Sequence, residues 1–318
     1  VAVVESGPAA GLPLLVVLLG PTASGKTALS LKLAGRFNGE IISCDSVAVY
    51  RDFEIGTAKP TAAERERVPH HCIDIISPDR DYSAGDYQRD GRAAIAEISA
   101  RGRLPIVTGG TGLYLRALLE GLFDGPQRSE RLRARLRRSA KRHGPGWLSR
   151  VLGRLDPAAA GRIHANDTPK LIRAIEVSLK EQRPITEAWT AGAAPLTGYR
   201  VLRIGLAPER AALYARIDAR AAAMFERGLV AETTRLMAKY GGGRRLFDAL
   251  GYRQARQQLA GELTEAQAIE AAQRGHRNYA KRQFTWFRRE PEVRWLAGFG
   301  DDPAIQQAAT ELVLSYTG

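Results

Sequence analysis

The strongest chemical signal in the chain lies in residues 20–27, Gly-Pro-Thr-Ala-Ser-Gly-Lys-Thr. They fit the phosphate-loop pattern G-x-x-x-x-G-K-[ST]. In it, glycines let backbone N–H groups curl around an anion while the lysine and the hydroxyl reach phosphate and Mg²⁺. The apolar run Leu14–Leu19 before the loop and a helix expected over 28–37 after it supply the strand-loop-helix context that the pattern needs. The loop does not encode which phosphate ester it holds.

Two further groups fall where they could act on the same ligand. Glu40-Ile-Ile-Ser-Cys44 reads as a buried strand ending at Asp45-Ser46. Ligands of parallel α/β sheets collect beyond the carboxyl ends of strands, which sets the Asp45 carboxylate near the loop's anion; a capping aspartate at a turn is the other reading. A strand over 103–107 leads into Thr108-Gly-Gly-Thr-Gly112, a second glycine-rich turn with a hydroxyl at Thr111 and a helix dipole behind it. In the helix after Pro208, Arg216 and Arg220 are four apart and share a face with Met224, so one or both lean toward the phosphate site. The pair His70-His71 offers no metal site, because adjacent side chains diverge and no third ligand is spaced nearby; they are read as structural or substrate-lining.

The elements that must position these groups alternate strand and helix. Ser83-Ala-Gly-Asp86 resembles a capping box opening a helix to about residue 100, and strands are expected again over 199–206 and 293–296. From Pro126 the pattern becomes helical, with helices over 147–155 and 171–181 and breaks at Asp156-Pro157, Thr168-Pro169 and Arg183-Pro184. The fold class is therefore α/β, a P-loop NTPase-like parallel sheet core carrying a helical insertion domain. Residues 1–126 and 196–318 form the core and 127–195 the insertion, with an apolar linker over 191–196. A long helix over 209–239, a glycine hinge over 241–243 and two more helices to residue 289 follow. The stretch from Tyr50 to Thr61, which contains Ile55-Gly-Thr-Ala-Lys-Pro60, reads as a punctuated loop without chemistry of its own, and no internal repeat is present.

The formal net charge of +13 attracts polyanions and argues for nucleic acid over a small neutral substrate. It concentrates in residues 128–142, where Arg128, Arg131, Arg133, Arg135, Arg137, Arg138, Lys141 and Arg142 face the single acid Glu130, with Leu132 and Leu136 as an apolar seam. So one-sided a run suits a polyphosphate partner. Lys281-Arg-Gln-Phe-Thr-Trp-Phe-Arg288 interleaves bases with aromatics, which fits stacking on unpaired bases and equally an amphipathic helix with a Phe/Trp core face. Cys44 and Cys72 sit in apolar runs as packed, reduced thiols, which points to the cytoplasm. Residues 1–12 lack a basic leader, and the apolar stretch 12–19 is too short to span a bilayer. Without a heptad or an isolated apolar stripe, a monomer is expected.

Taken together, Gly20 to Thr27, Asp45-Ser46, Ile55-Gly-Thr-Ala-Lys-Pro60, Gly109-Gly-Thr-Gly-Leu-Tyr114, Leu250-Gly-Tyr-Arg-Gln254 and Lys281-Arg-Gln-Phe-Thr-Trp286 match, in order, the signatures of tRNA dimethylallyltransferases, also called tRNA isopentenyltransferases. The resemblance runs from about residue 14 to residue 297. It implies prenyl transfer from dimethylallyl diphosphate to N6 of adenosine 37, beside the anticodon. By the same resemblance Asp45 is the base and Thr111 lines the reaction channel. Gly20, Thr22, Ala23, Ser24, Gly25, Lys26 and Thr27 hold the diphosphate, with Mg²⁺ near Thr27. Arg220 is preferred as the arginine on the leaving group, with Arg216 left open. The tRNA-contacting positions implied are Asp45, Ser46, Val47, Ala48, Arg133, Pro169, Lys170, Leu171, Ile172, Arg173, Leu250, Gly251, Tyr252, Arg253, Lys281, Arg282, Gln283, Trp286 and Arg288, gripping the anticodon stem-loop. Pro169 departs from the polar residue frequent there, and the apolar linker over 191–196 puts the insertion's hinge in doubt.

Three rivals account for part of the pattern. A small-molecule P-loop kinase would use Asp45 as base or beside Mg²⁺, but leaves the basic segments idle. An RNA-binding NTPase would need a Walker-B aspartate, for which Asp45 is a candidate and Asp74 a weaker one. An adenylate isopentenyltransferase would prenylate free AMP and has no use for a net +7 helix.

Overall fold

The computed structural model describes residues 11–123, 125–126, 128–190 and 193–317. The N-terminal segment over 1–10 and the start of the 191–196 linker lie outside the described residues. Six strands form one parallel sheet in the order β3-β2-β4-β1-β5-β6: β1 Leu14–Leu19, β2 Gly39–Cys44, β3 His70–His71, β4 Leu104–Gly109, β5 Arg200–Leu206 and β6 Val293–Leu296. In β1 every residue is buried, as expected of a central parallel strand covered on both faces. Its period of two splits that run between two cores. Leu14, Val16 and Leu18 pack with Leu29 and Leu33 of helix Lys26–Arg36 and with Ala309 and Val313 of helix Pro303–Thr317. Leu15, Val17 and Leu19 face Ile95 and Ile98 of helix Ala84–Ala100 and Leu115 and Leu118 of helix Gly112–Leu119.

Local chemistry explains most boundaries. Ser83 and Asp86 do form the reciprocal capping box that opens helix Ala84–Ala100. The single long helix expected over 209–239 is two helices, Arg210–Glu226 and Leu229–Tyr240. Gly228, at φ +94°, turns the chain between them in a conformation that a side chain would strain. The short strand β3 and the final helix Pro303–Thr317 have no counterpart in the sequence reading. A third apolar core, around Val49, Phe53, Met224, Phe247 and Tyr252, ties the helices after β5 to the loop that follows β2.

Two compact units result. One is Glu120–Pro195, so the insertion begins at residue 120 and not 127, and the described residues on either side of it make the other. In Glu120–Pro195, Leu136 is buried against Leu148, Leu152, Leu171, Ile172 and Ile175, with Leu132 beside it at the margin, as the apolar seam requires. Two buried carboxylates organise the polar part of this unit. Glu176 accepts from Arg133 Nη2 at 2.6 Å, from Arg173 Nη1 at 3.0 Å and from the Ser129 N–H at 2.7 Å. Asp156 accepts from the Ala159 N–H at 2.9 Å, capping helix Pro157–Arg162, and from the Thr186 N–H at 2.8 Å. Among the described residues no helix is long and apolar enough to cross a membrane.

Candidate active site

The loop between β1 and helix Lys26–Arg36 turns on Gly25, which caps the helix at φ +87° with no side-chain help; a Cβ there would stand 2.7 Å from the Gly300 N. The helix thus starts with its N–H groups unblocked, the arrangement that favours an anion. The Ser24 hydroxyl is buried in the loop without a hydrogen-bond partner. Lys26 Nζ folds back to donate to the carbonyls of Gly20 at 2.8 Å and Pro21 at 2.7 Å. Burial lowers the Lys26 ammonium to about 7, the Arg220 guanidinium pushes the same way, and the Asp45 carboxylate opposes them. Burial lowers Arg220 as well, with Asp45 again opposing. Neither cation has a carboxylate in ion-pair contact among the described residues.

At the end of β2 both readings of Asp45 hold at once. Its Oδ1 accepts from the Val47 N–H at 2.8 Å and the Ala48 N–H at 3.1 Å, while Oδ2 takes no hydrogen bond among the described residues. At the end of β4 the Thr111 N–H donates to the Cys44 carbonyl at 3.1 Å, and the Thr111 hydroxyl oxygen accepts the Ser46 N–H at 3.1 Å. Donation from Ser46 leaves the Thr111 hydroxyl proton for another acceptor. The strand ends are therefore stitched together. Cys44 and Cys72 are buried free thiols, each pushed up to about 12, chiefly by burial, and so inert as nucleophiles.

The phosphate loop, Asp45, Arg220 and the Gly109-Gly110 turn border one cavity of about 480 Å³. Arg216 also reaches its rim but is committed elsewhere. It makes a two-pronged ion pair with Asp301 at 2.7 and 2.6 Å and lies 4.0 Å above the Phe299 ring. The opposite wall is the loop carrying Thr57, Ala58 and Lys59, a stretch that the sequence reading left without a task. The Glu232 carboxylate accepts the Ile55 N–H at 3.1 Å, and the Tyr252 hydroxyl accepts the Gly56 N–H at 3.2 Å while donating to Glu232 at 2.6 Å. Lys59 donates to the Tyr50 carbonyl at 2.7 Å and pairs with Asp74 at 2.5 Å. Asp74 also holds Arg65 at 2.6 Å, so this weaker Walker-B candidate is a structural ion-pair centre. His71 Nε2 meets Glu40 Oε2 at 2.6 Å and His70 Nδ1 meets the Val68 carbonyl at 2.7 Å, which leaves no paired metal face. Among the described residues no cluster of three His, Cys, Asp or Glu could hold a metal ion.

Several side chains expected at an RNA surface point inward instead. Leu171, Ile172, Tyr252 and Gln283 are all buried, so the stretches they belong to can expose only neighbours such as Lys170, Arg253, Lys281, Arg282, Trp286 and Arg288. Gly251 is buried too, Leu250 half-buried, and Pro169 exposed in the first turn of helix Thr168–Glu181. Arg133 and Arg173 are drawn onto Glu176, whereas Arg131, Arg135, Arg138, Lys141 and Arg142 stand exposed with no ion pair among the described residues. Residues 281–288 are the end of an amphipathic helix whose inner stripe is Gln283 and Phe287, not a Phe/Trp face: Trp286 is exposed with the basic residues on the outer side of helix Glu265–Phe287. Tyr279, Lys59 and Glu232 were not anticipated. For Tyr279 a signal existed, since it precedes Gln283 by one helical turn on the inner stripe.

A parallel sheet that delivers a phosphate loop from β1, a carboxylate from β2 and a glycine turn from β4 to one cavity defines a P-loop protein built for a phosphate ester, with Thr111 itself outside the cavity's lining. Comparison with known proteins narrows the class. The family model for IPP transferase matches residues 48–290 and that for isopentenyl transferase residues 13–77. A tRNA dimethylallyltransferase of Koribacter versatilis is 62% identical over 95% of this chain and 98% of its own length. One of Solibacter usitatus is 53% identical over 96% and 99%. The crystal structure of a tRNA isopentenylpyrophosphate transferase from Bacillus halodurans superposes with a TM-score of 0.70 at 38% identity, covering 95% of this chain and 96% of that one. A eukaryotic dimethylallyltransferase acting on tRNA superposes at 0.82 with 27% identity, over 96% and 79%. The chain belongs to the tRNA dimethylallyltransferase family.

Proposed function

We propose that this protein transfers the dimethylallyl group of dimethylallyl diphosphate to N6 of adenosine 37 in the anticodon stem-loop of tRNA. The observation that carries the chemistry is the position of Asp45. One carboxylate oxygen is fixed by two backbone N–H groups and the other is left over, on the cavity wall that also bears the phosphate loop. In the reaction the C1–O bond to the diphosphate breaks with its electron pair leaving on oxygen, N6 of adenine bonds to C1, and the N6 proton passes to Asp45. Lys26, Arg220, the Ser24 hydroxyl and the free N–H groups of the loop neutralise charge as it grows on the leaving diphosphate. Thr111, which accepts the Ser46 N–H, holds the turn after Asp45 against the end of β4.

Mg²⁺ suits this donor set. It binds through one or two carboxylates and phosphate oxygens and keeps its waters, and Thr27, Ser24 and Asp45 offer hard oxygens on the cavity wall. Bound there on Thr27, it would add positive charge to the diphosphate.

On the RNA side, the exposed arginines of helix Glu130–His143 suit sequence-independent contact with stem phosphates. Adenosine 37 must leave the loop stack to reach the cavity, at a cost of a few kcal/mol. This reading puts the protein in the cytoplasm as a monomer. The test is incubation of protein and Mg²⁺ with labelled dimethylallyl diphosphate and unmodified tRNA, beside parallel reactions with AMP and with labelled ATP. Label at adenosine 37 and absent from AMP supports it. ATP consumption without label on tRNA means a kinase or NTPase, and label on AMP means a free-nucleotide transferase.

A further inference from the structure

Helix Glu265–Phe287 sends two polar side chains, four residues apart, onto the backbone of the cavity. Gln283 is 4% exposed and bonds in both directions: its Oε1 accepts the Thr22 N–H at 2.7 Å and its Nε2 donates to the Gly110 carbonyl at 3.0 Å. Tyr279 donates its hydroxyl to the same carbonyl at 3.1 Å. A Cβ on Gly110 would collide with Gln283 Nε2, so the glycine is what lets the amide lie against the turn. Phe287, one turn further on, is anchored in the core beside β1 and β4, which fixes where the stripe stands.

We infer that Gln283 and Tyr279 are positioning residues that hold the phosphate loop and the Thr111 turn at a fixed separation. The inference rests on the prenyl-transfer reading above and goes beyond it in assigning what sets the geometry between leaving group and base. The leaving diphosphate belongs to the loop of β1, and the nucleophile is handled by Asp45 and Thr111 at the ends of β2 and β4. Ser46 and Cys44 already tie Asp45 to Thr111, so one linkage remains to be made, from that pair to the loop. The Gln283 amide makes it, since a side-chain amide accepts through its oxygen and donates through its nitrogen. A second consequence follows. The Thr22 N–H is turned toward Gln283 and the Ser24 N–H toward the Pro21 carbonyl at 3.3 Å, so the anion cradle is built from the N–H groups of Ala23 and residues 25–27.

Gln283→Met keeps length and burial and removes both bonds. With saturating substrates its transfer rate should fall about ten- to a hundred-fold, the scale of an ångström's misplacement of reacting groups. Its KM for tRNA should stay within about twofold, and hydrogen exchange at the Thr22 amide should quicken at least tenfold, since a buried donor has lost its partner. Gln283→Glu separates the halves: it keeps the acceptor for Thr22 and loses the donor to Gly110, so Thr22 should stay protected while transfer still slows. Tyr279→Phe, which leaves Gln283 in place, should cost about threefold. A raised KM for tRNA with an unchanged rate would make Gln283 an RNA contact and overturn the proposal. So would an unchanged rate once Thr22 exchanges freely. If Gln283→Met does not fold, the Gln283→Glu pair of readouts decides alone. A wild-type chain that transfers nothing in the same assay would overturn the prenyl-transfer reading itself, and Thr22 exchange would still report whether the tie exists.

Discussion

Half-buried cations occur in two places in this protein and are treated in opposite ways. In Glu120–Pro195, Arg133 and Arg173 converge on the fully buried Glu176, and every charge drawn inside meets its opposite. At the sheet's carboxyl ends, Lys26 and Arg220 share a cavity with no carboxylate in ion-pair contact among the described residues, and burial lowers the pKa of both. The first arrangement is complete and stabilises a fold. The second lacks its anion, which is what a site for a diphosphate requires, because a pre-paired lysine would have to shed its partner before binding.

The largest effect that would break this contrast is on the base. Asp45→Asn keeps the Oδ1 acceptor for Val47 and Ala48 and removes the ability to take a proton. Transfer should fall by about 10³- to 10⁴-fold, in line with loss of a general base, with tRNA affinity within about twofold. Single-turnover rates and filter binding measure the two. Unchanged transfer would remove Asp45 from the chemistry.

Next in size, the unpaired and paired arginines of one helix should differ. Arg220→Gln deletes a cation held in reserve for the leaving group and should lower kcat by about 10²- to 10³-fold, a typical loss for a charge-stabilising donor. Arg216→Gln, four residues earlier, removes a guanidinium already engaged with Asp301 and should cost less than about threefold. Equal losses in the two variants would mean that Arg216 leaves Asp301 to join the ligand.

How much of this was open to sequence reading follows from the range of the interactions. The phosphate loop is local chemistry, eight consecutive residues whose backbone does the binding, and its strand and helix follow from the flanking apolar pattern. Asp45 and Thr111 could be placed because parallel topology delivers strand ends to one edge. Glu232 and the task of Tyr252 could not, since each acts on a backbone group far away in the chain; helical spacing places Tyr279 on the inner stripe with Gln283 but does not show the Gly110 carbonyl that it meets. The basic stretches were located correctly as surfaces, yet individual residues in them were assigned outward when helix packing turns them in. For Gln283, Leu171 and Ile172 the deciding fact is which stripe meets a neighbour. Arg133 looks like its seven basic neighbours until Glu176, 43 residues on, selects it.

Glu176 gives the next test, on the paired side of the contrast. Glu176→Gln leaves Arg133 and Arg173 without a counter-charge and should destabilise the unit Glu120–Pro195 by about 3 kcal/mol, the usual cost of removing one partner of a buried pair. Chemical denaturation followed at Trp147 and Trp189 measures it. Reversing the exposed Arg131, Arg135, Arg138 and Arg142 to Glu should leave stability within about 0.5 kcal/mol at each site. It should instead weaken tRNA binding about ten- to a hundred-fold and flatten the salt dependence by close to one per lost phosphate contact. If Glu176→Gln proves neutral, the paired region is no more built on its charges than the outer face is.

The smallest effect is a pH dependence that separates the two regions without mutation. In the ligand-free protein Lys26 titrates at about 7 against an ordinary 10.5. Between those values the unfolded chain binds a proton that the native chain does not, so stability rises with pH across the window. The cost of charging Lys26 is fully present below pH 7 and relieved by 10.5. Diphosphate binding runs the other way. An anion in the loop favours the charged lysine, so affinity for dimethylallyl diphosphate should fall with pH above about 7, by at most tenfold per unit. From pH 7.5 to 9 the phosphate groups of this ester, with a last pKa of about 6, no longer contribute. Titration calorimetry in two buffers of different ionisation enthalpy should then show proton uptake on binding near pH 8. Lys26→Arg, whose guanidinium stays charged throughout, should bind without uptake and with a flat profile. A flat profile in the unaltered chain would mean that Lys26 is already charged before the anion arrives, and that the site is no less complete than the paired arginines of the helical unit.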